Sequence, residues 1–188
     1  YVLQLASTVS ETCKTDSWSG EENNIKQLLL PAESVIGPRE RLLVFFSAMS
    51  DDKQGSVRLI QYGGSEEAAV RIVHDLVGWG SEAMPNSCSE QSAAEIAKDN
   101  QVLVRCVSEG MSRDTDDNAA DFSIVGDGGA VSVDNPPECP GAVIEPAPTE
   151  CEKAVVSEVL PNPSGVDTGN EYIELHNPTA DSIVLQGC

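Results

Sequence analysis

The side chains best suited to hold a cation stand close together. Asp114, Thr115, Asp116, Asp117 and Asn118 place oxygen donors at alternate positions, as the opening of a calcium loop does. The pattern then breaks: Ala119 stands where the turn glycine belongs and Val125 where a bidentate glutamate belongs, which excludes an EF-hand. Two readings stay open for Asp114, Asp116 and Asn118. One is a looser calcium site, helped by Asp121 or by the turn at Asp167, Thr168, Gly169 and Asn170. The other is a turn whose Asp and Asn side chains cap their own backbone.

Nucleophilic catalysis needs a base beside the nucleophile, and His74 and His176 are the chain's two histidines. No GxSxG occurs. Ser50, Asp51, Asp52 and Lys53 match a SxxK pattern, but Asp51 to Gly55 reads as a hairpin loop without companion motifs, so chance explains it. His74, between Val73 and Asp75 on a strand, reads as a structural or surface residue. Carboxylate pairs are frequent, yet in a chain this acidic their proximity says nothing about glycosidase chemistry. Catalytic residues are therefore assigned to none, and the expectation is that the chain is not an enzyme.

Six cysteines, Cys13, Cys88, Cys106, Cys139, Cys151 and Cys188, form an even, scattered set without CxxC spacing, which argues against zinc and for disulfides in an oxidising, extracellular compartment. Asn177 is followed by Pro178, so Asn177–Thr179 is not a glycosylation site. Eleven basic against 31 acidic residues give a formal net charge of −20. Such a surface repels phosphate backbones and anionic lipid heads, so neither nucleic acid nor membrane insertion is expected. The apolar runs Leu28–Leu30 and Leu42–Phe46 are far too short to span a bilayer. Opening at Tyr1 without a methionine or leader, the chain reads as a fragment or a processed product.

The elements that must position these residues read as strands. Short Val-, Ile- and Leu-rich runs separated by turn residues cover 1–5, 26–30, 42–46, 57–61, 69–76, 102–107, 122–125, 155–160, 172–176 and 183–186. Residues 92–98 read as one or two helical turns. Hydrophobic residues make up 40% of the chain and aromatics only 4%, so aliphatic side chains must fill the core. Five prolines between Asn135 and Cys151 mark a semi-rigid, extended linker. The chain then divides into a body (1–135), a Pro-rich linker (136–153) and a tail (154–188). About three strands cannot bury both faces of a sandwich, so the tail needs partner strands.

The tail carries a family likeness. Val155 to Pro163, then Asn170 to Thr179, and the close Ile183 to Cys188 resemble the opening of the lamin tail domain. Gly78, Trp79 and Gly80, Val102 to Arg105, and Asp114 to Phe122 resemble that family's second half, which here comes first. The chain departs from the pattern at Cys188, where the family often has Trp, and in the insertion-like stretch Glu21 to Arg39. The resemblance implies an all-β, immunoglobulin-like β-sandwich, here disulfide-stapled, with the family's first strands carried after the linker. It also implies a module of secreted and surface proteins, sometimes neighbouring nuclease domains, without catalysis of its own.

Joined to Tyr1, Gly187 and Cys188 read as one uninterrupted family segment, so the body looks like a domain missing its first strands and the tail looks like those strands. The tail belongs to the next copy in a tandem array, folds back onto its own body, or completes another molecule. The extended linker favours completion of another chain or copy through Val155, Val159, Tyr172, Ile173 and Leu175. The expected function is a structural or adhesive surface module, or a filament subunit assembling by strand donation. Its partners would be copies of itself or other surface proteins. The alternative is an accessory targeting module of a larger secreted enzyme such as a nuclease. Loop lengths suggest bridges Cys139–Cys151 and Cys88–Cys106, leaving Cys13–Cys188 across the seam.

Overall fold

The computed structural model describes residues 2–6, 25–30, 34–46, 54–63, 70–81, 86, 88–98, 101–108, 111–126, 136–139, 154–161 and 171–185. They form an all-β fold. β1 (Val2–Ala6), β2 (Ile25–Leu29), β5 (Gly55–Gly63) and β6 (Val70–Trp79) make a four-stranded antiparallel sheet in the order β2-β1-β5-β6. A five-stranded sheet faces it across the core. Its strands are β4 (Arg41–Phe46), β7 (Val102–Arg105), β10 (Phe122–Val125), β11 (Val155–Leu160) and β12 (Glu171–His176), in the order β10-β7-β11-β12-β4. Two short ribbons complete the fold, β3 (Val35–Ile36) with β13 (Ile183–Val184) and β8 (Val107–Ser108) with β9 (Met111–Ser112), besides the single helical turn α1 (Asn118–Asp121).

The two sheets share one aliphatic core. Leu3, Leu5, Val57, Leu59 and Val77 come from the first sheet; Leu103, Val156, Val159, Ile173 and Leu175 come from the second. Burial of these side chains is the main favourable term, at roughly 25 cal/mol per Å² of apolar surface. Val156 and Val159 both reach this core although they are three residues apart, which strict alternation forbids. A register shift between Val156 and Glu158 resolves the conflict, because the bulge inserts one extra residue and returns Val159 to the inner face.

The hairpin β11–β12 lies in the interior of the five-stranded sheet, between β7 and β4 of the same chain. Glu158 and Val159 pair with Val104 and Leu103, while Glu171 to His176 pair with Phe46 to Arg41. Of the alternatives open for this tail, the single chain adopts the one in which it folds back onto its own body. Beyond β12, the Asn177 amide donates to the carbonyls of Ile36 and Asp181, and the Leu185 N–H donates to Ser34. These bonds wrap the end of the tail around β3.

Two expectations change. Residues 92–98 are not helical, because Ala94 pairs with the end of β6, exchanging backbone bonds with Gly78 and Gly80. Gly78 also permits the close approach of Cys88 and Ser89, since a Cβ there would stand 2.2 Å from the Cys88 carbonyl oxygen. The cysteines also pair differently. Cys106 is bonded to Cys139, which overturns both Cys88–Cys106 and Cys139–Cys151. The reason is that residues 136–139 do not stand free as linker. Val107 bridges Glu138, and its N–H and C=O bond Pro137 and Cys139, bringing Cys139 beside the end of β7. Cys88 is also disulfide-bonded, to a partner outside the described residues. Cys13, Cys151, Cys188, Tyr1, the Ser50–Lys53 motif and the Asp167–Asn170 turn lie outside them too.

Candidate functional site: the junction of tail and body

Arg105 ends β7 and points into the sandwich, fully buried. Its Nη2 reaches both carboxylate oxygens of Asp75 on β6 at 2.8 Å, and its Nε donates to the Val156 carbonyl at 2.8 Å. The Val156 N–H donates in turn to Asp75 Oδ2 at 2.6 Å. One buried ion pair thus grips both polar groups of a single residue of the tail. It does so beside the β11 bulge, where the β7–β11 ladder includes Glu158 and Val159 but not Val156. Unpaired backbone groups there would be costly, and the ion pair satisfies them instead.

The surroundings hold Arg105 in place. Its Nη1 donates to the Arg113 carbonyl at 3.0 Å and lies 3.3 Å from Asp114 Oδ1, and the guanidinium sits 4.6 Å above the Phe122 ring. Asp121 stands 3.8 Å from Nη1, takes Arg113 Nε at 3.3 Å, and accepts from the Thr115 N–H and hydroxyl. Burial alone would weaken the Arg105 charge, but Asp75, Asp114, Glu90 and Asp121 outweigh it and raise its pKa. Burial pushes Asp75 up to about 6 against the pull of Arg105, so it remains ionised at neutral pH. Glu90 is pushed up to about 8 by burial and by the charges of Asp75 and Asp114, so it is largely protonated there.

Asp75, Glu90 and Asp114 bring carboxylate oxygens within 4.8 Å of one another. The positive charge among them is the guanidinium itself, and Asp75 and Asp114 are both paired with it. The expected calcium trio is not assembled. Asn118 Oδ1 accepts from the Gly78 and Glu90 N–H groups, and its Nδ2 donates to Leu76 O and Glu90 Oε2. Every donor and acceptor of that amide is committed, leaving no lone pair for a metal. Asp116 sits exposed at φ 55°, with its N–H 3.4 Å from Asp114 Oδ1, as in the turn-capping reading.

A second polar cluster lies on the outer side of the hairpin. Ser157 donates to Glu174 Oε1 at 2.6 Å, Arg41 Nε lies 3.3 Å from the same oxygen, and the Tyr172 hydroxyl bonds Glu158. Burial raises Glu158 to about 7 and lowers His176 to about 4, the latter with help from Arg41. Ser112 Oγ lies 2.6 Å from His176 Nδ1. A general base works best with a pKa near the operating pH, and one near 4 suits a structural hydrogen bond better than proton abstraction. His74 is buried on β6.

Of the tail positions singled out in the sequence, Val155, Val159, Ile173 and Leu175 are buried and Tyr172 is half-buried on the outer side. The Asp75–Arg105 pair was not foreseen. Its one local signal is an aspartate inside a Val-, Ile- and Leu-rich strand, where Asp is disfavoured. No family model matches the chain, and neither a curated protein nor a solved structure matches it.

Proposed function

We propose that this chain is a non-catalytic structural or adhesive module of a secreted or cell-surface protein, an immunoglobulin-like sandwich of the lamin tail type. The observation that carries the reading is the Asp75–Arg105 pair. These two buried charges grip backbone, tying tail to body, where a catalytic site would aim such groups at a substrate. Asn118 and Asn177 repeat the pattern, each bonding backbone groups of strands far away in sequence. The Cys106–Cys139 bridge fits an oxidising compartment. No helix among the described residues is long and apolar enough to cross a membrane.

Fractionation of the native source tests the reading. The chain is expected in the secreted or surface fraction with its cysteines oxidised. Recovery from the cytosol with free thiols throughout would overturn it, as would turnover of an ester, glycoside or phosphodiester by the isolated chain.

A further inference from the structure

The hairpin is indispensable to the core and joined to the body by a long stretch of chain. Tail residues Ala154, Val156, Val159, Ile173, Leu175, Ile183 and Leu185 supply seven of the nineteen residues of the buried apolar cluster. A body that loses them opens its core and exposes the facing edges of β7 and β4. Such edges are templates for any strand that fits. The covalent tie to the body is long. Cys139 is fixed beside β8, and the fifteen peptide steps from Cys139 to Ala154 can span about 50 Å. A folded chain of this length is about 40 Å across. The same linker therefore reaches its own body or a neighbour's.

We infer that the body accepts the β11–β12 hairpin of a second copy through the Asp75–Arg105 pair and the β7 and β4 edges, so that copies join by exchanging hairpins. This deepens the structural reading proposed above and rests on it. The partner must be a copy of this chain because the acceptor reads a particular strand. The ion pair takes the N–H and C=O of Val156 beside a bulge, and the bulge places Val156 and Val159 together in the core. A regularly alternating strand would present one of those side chains to the wrong face. Every contact of the closed form is regenerated in the exchanged form, so only linker geometry and concentration separate the two. Repeated in one direction, the exchange yields a chain of copies; reciprocated, a dimer.

Two variants of the whole 188-residue chain test this. Val159→Asp spoils the tail and leaves the acceptor body intact; Leu103→Asp spoils the body and leaves the tail intact. Each alone is expected to lose the cooperative unfolding transition. Unfolded together with disulfides intact and refolded as a mixture, they should give a heterodimer by light scattering. It would hold one complete sandwich per pair, and the transition should return to about half of the chains. Adding Arg105→Gln to the Val159→Asp chain should cut that recovery severalfold; unchanged recovery would remove the ion pair from the inference. A mixture that behaves as the sum of its parts overturns exchange, as would a stable Val159→Asp monomer that melts like the wild type. Location and thiol state are unaffected by these outcomes, so the structural reading fails or stands separately.

Discussion

The two polar clusters at the hairpin each set buried carboxylates beside an arginine and do different work. The inner one joins three separate parts of the chain. Asp75 comes from β6, Arg105 from β7, and the backbone they hold from β11. The outer one is mostly local among the described residues, with Glu158, Tyr172, Glu174, Ser157 and His176 all on the hairpin and Arg41 and Ser112 reaching it from elsewhere. A charge pair that grips backbone across the sandwich decides whether the hairpin is docked. A cluster carried mainly by the hairpin travels with it and sets the conditions under which docking is favourable.

The largest effect follows from removing half of the inner pair. Arg105→Gln strands Asp75 without its buried cation, and losing one partner of a buried pair costs about 3–5 kcal/mol. Denaturant unfolding should show that loss, whereas Ser157→Ala in the outer cluster should cost about 1 kcal/mol. Equal losses would erase the distinction between the clusters. Replacing Asp75 and Arg105 together by apolar residues should recover part of the loss in a double-mutant cycle. The Val156 backbone groups would stay unsatisfied, so recovery should be incomplete.

The disulfide fastens the linker and not the hairpin, which makes it a control of comparable size. Cys106 and Cys139 are 33 residues apart, a closure worth about 3–4 kcal/mol in the chain-entropy description. The Cys106→Ala, Cys139→Ala double variant should lower stability by that order. It should also free the start of the linker and so speed hairpin exchange between copies. Light scattering after refolding over a range of concentrations reads the exchange; a stability loss without faster exchange would separate linker from docking.

The sequence made the strands legible wherever apolar β-branched residues run together. Residues 122–125 and 155–160 have the ends expected, and β4 and β12 each extend by a single residue. The two-residue strands β3 and β9 carry no periodic signal, and Ser92 to Lys98 looks helical until Ala94 is drawn onto β6. The inner cluster was illegible for a different reason. Asp75, Arg105 and Val156 are brought together by sheet topology across separations of 30 and 81 residues, and nothing local to any of them names its partner. The calcium-like spacing of Asp114 to Asn118 gave no hint that Asn118 answers to Gly78 and Leu76 on β6.

Acidity should act on the two clusters in the same direction. Glu90 at about 8, Glu158 at about 7 and Asp75 at about 6 are all raised above ordinary carboxylates, with burial the largest cause. The folded chain therefore keeps protons that the unfolded chain releases. The stabilisation from each is fully present below about pH 4 and is lost as the pH rises through the folded values, from 6 to 8. His176, lowered to about 4 by burial, works the other way, with its contribution present above about 6.5 and lost as the pH falls through 4. The melting temperature should thus be higher near pH 6 than near pH 8.5. Glu90→Gln, which stays neutral, should flatten the inner part of that slope, and Glu158→Gln the outer part. A melting temperature that rises from pH 6 to 8.5 would contradict both assignments.

Calcium should produce the smallest effect, and it bears directly on what the inner cluster is. If Asp75, Glu90 and Asp114 serve Arg105, a divalent cation must displace a guanidinium already bonded to two of the three carboxylates. The cation would also lose the Asn118 oxygen, which accepts from two backbone N–H groups. Stabilisation by mass action at ten times the dissociation constant would be about 1.4 kcal/mol, or roughly 3–6 °C for a chain of this size. We expect no shift in a thermal melt at millimolar calcium. The informative variant is Arg105→Gln, because it removes the competitor while leaving the carboxylates. A calcium-dependent rise in the variant alone would show that the guanidinium occupies the place a metal would take. A rise of that size in the wild type, abolished by Asp114→Asn, would instead make the cluster a metal site and cost the ion pair its role in docking the tail.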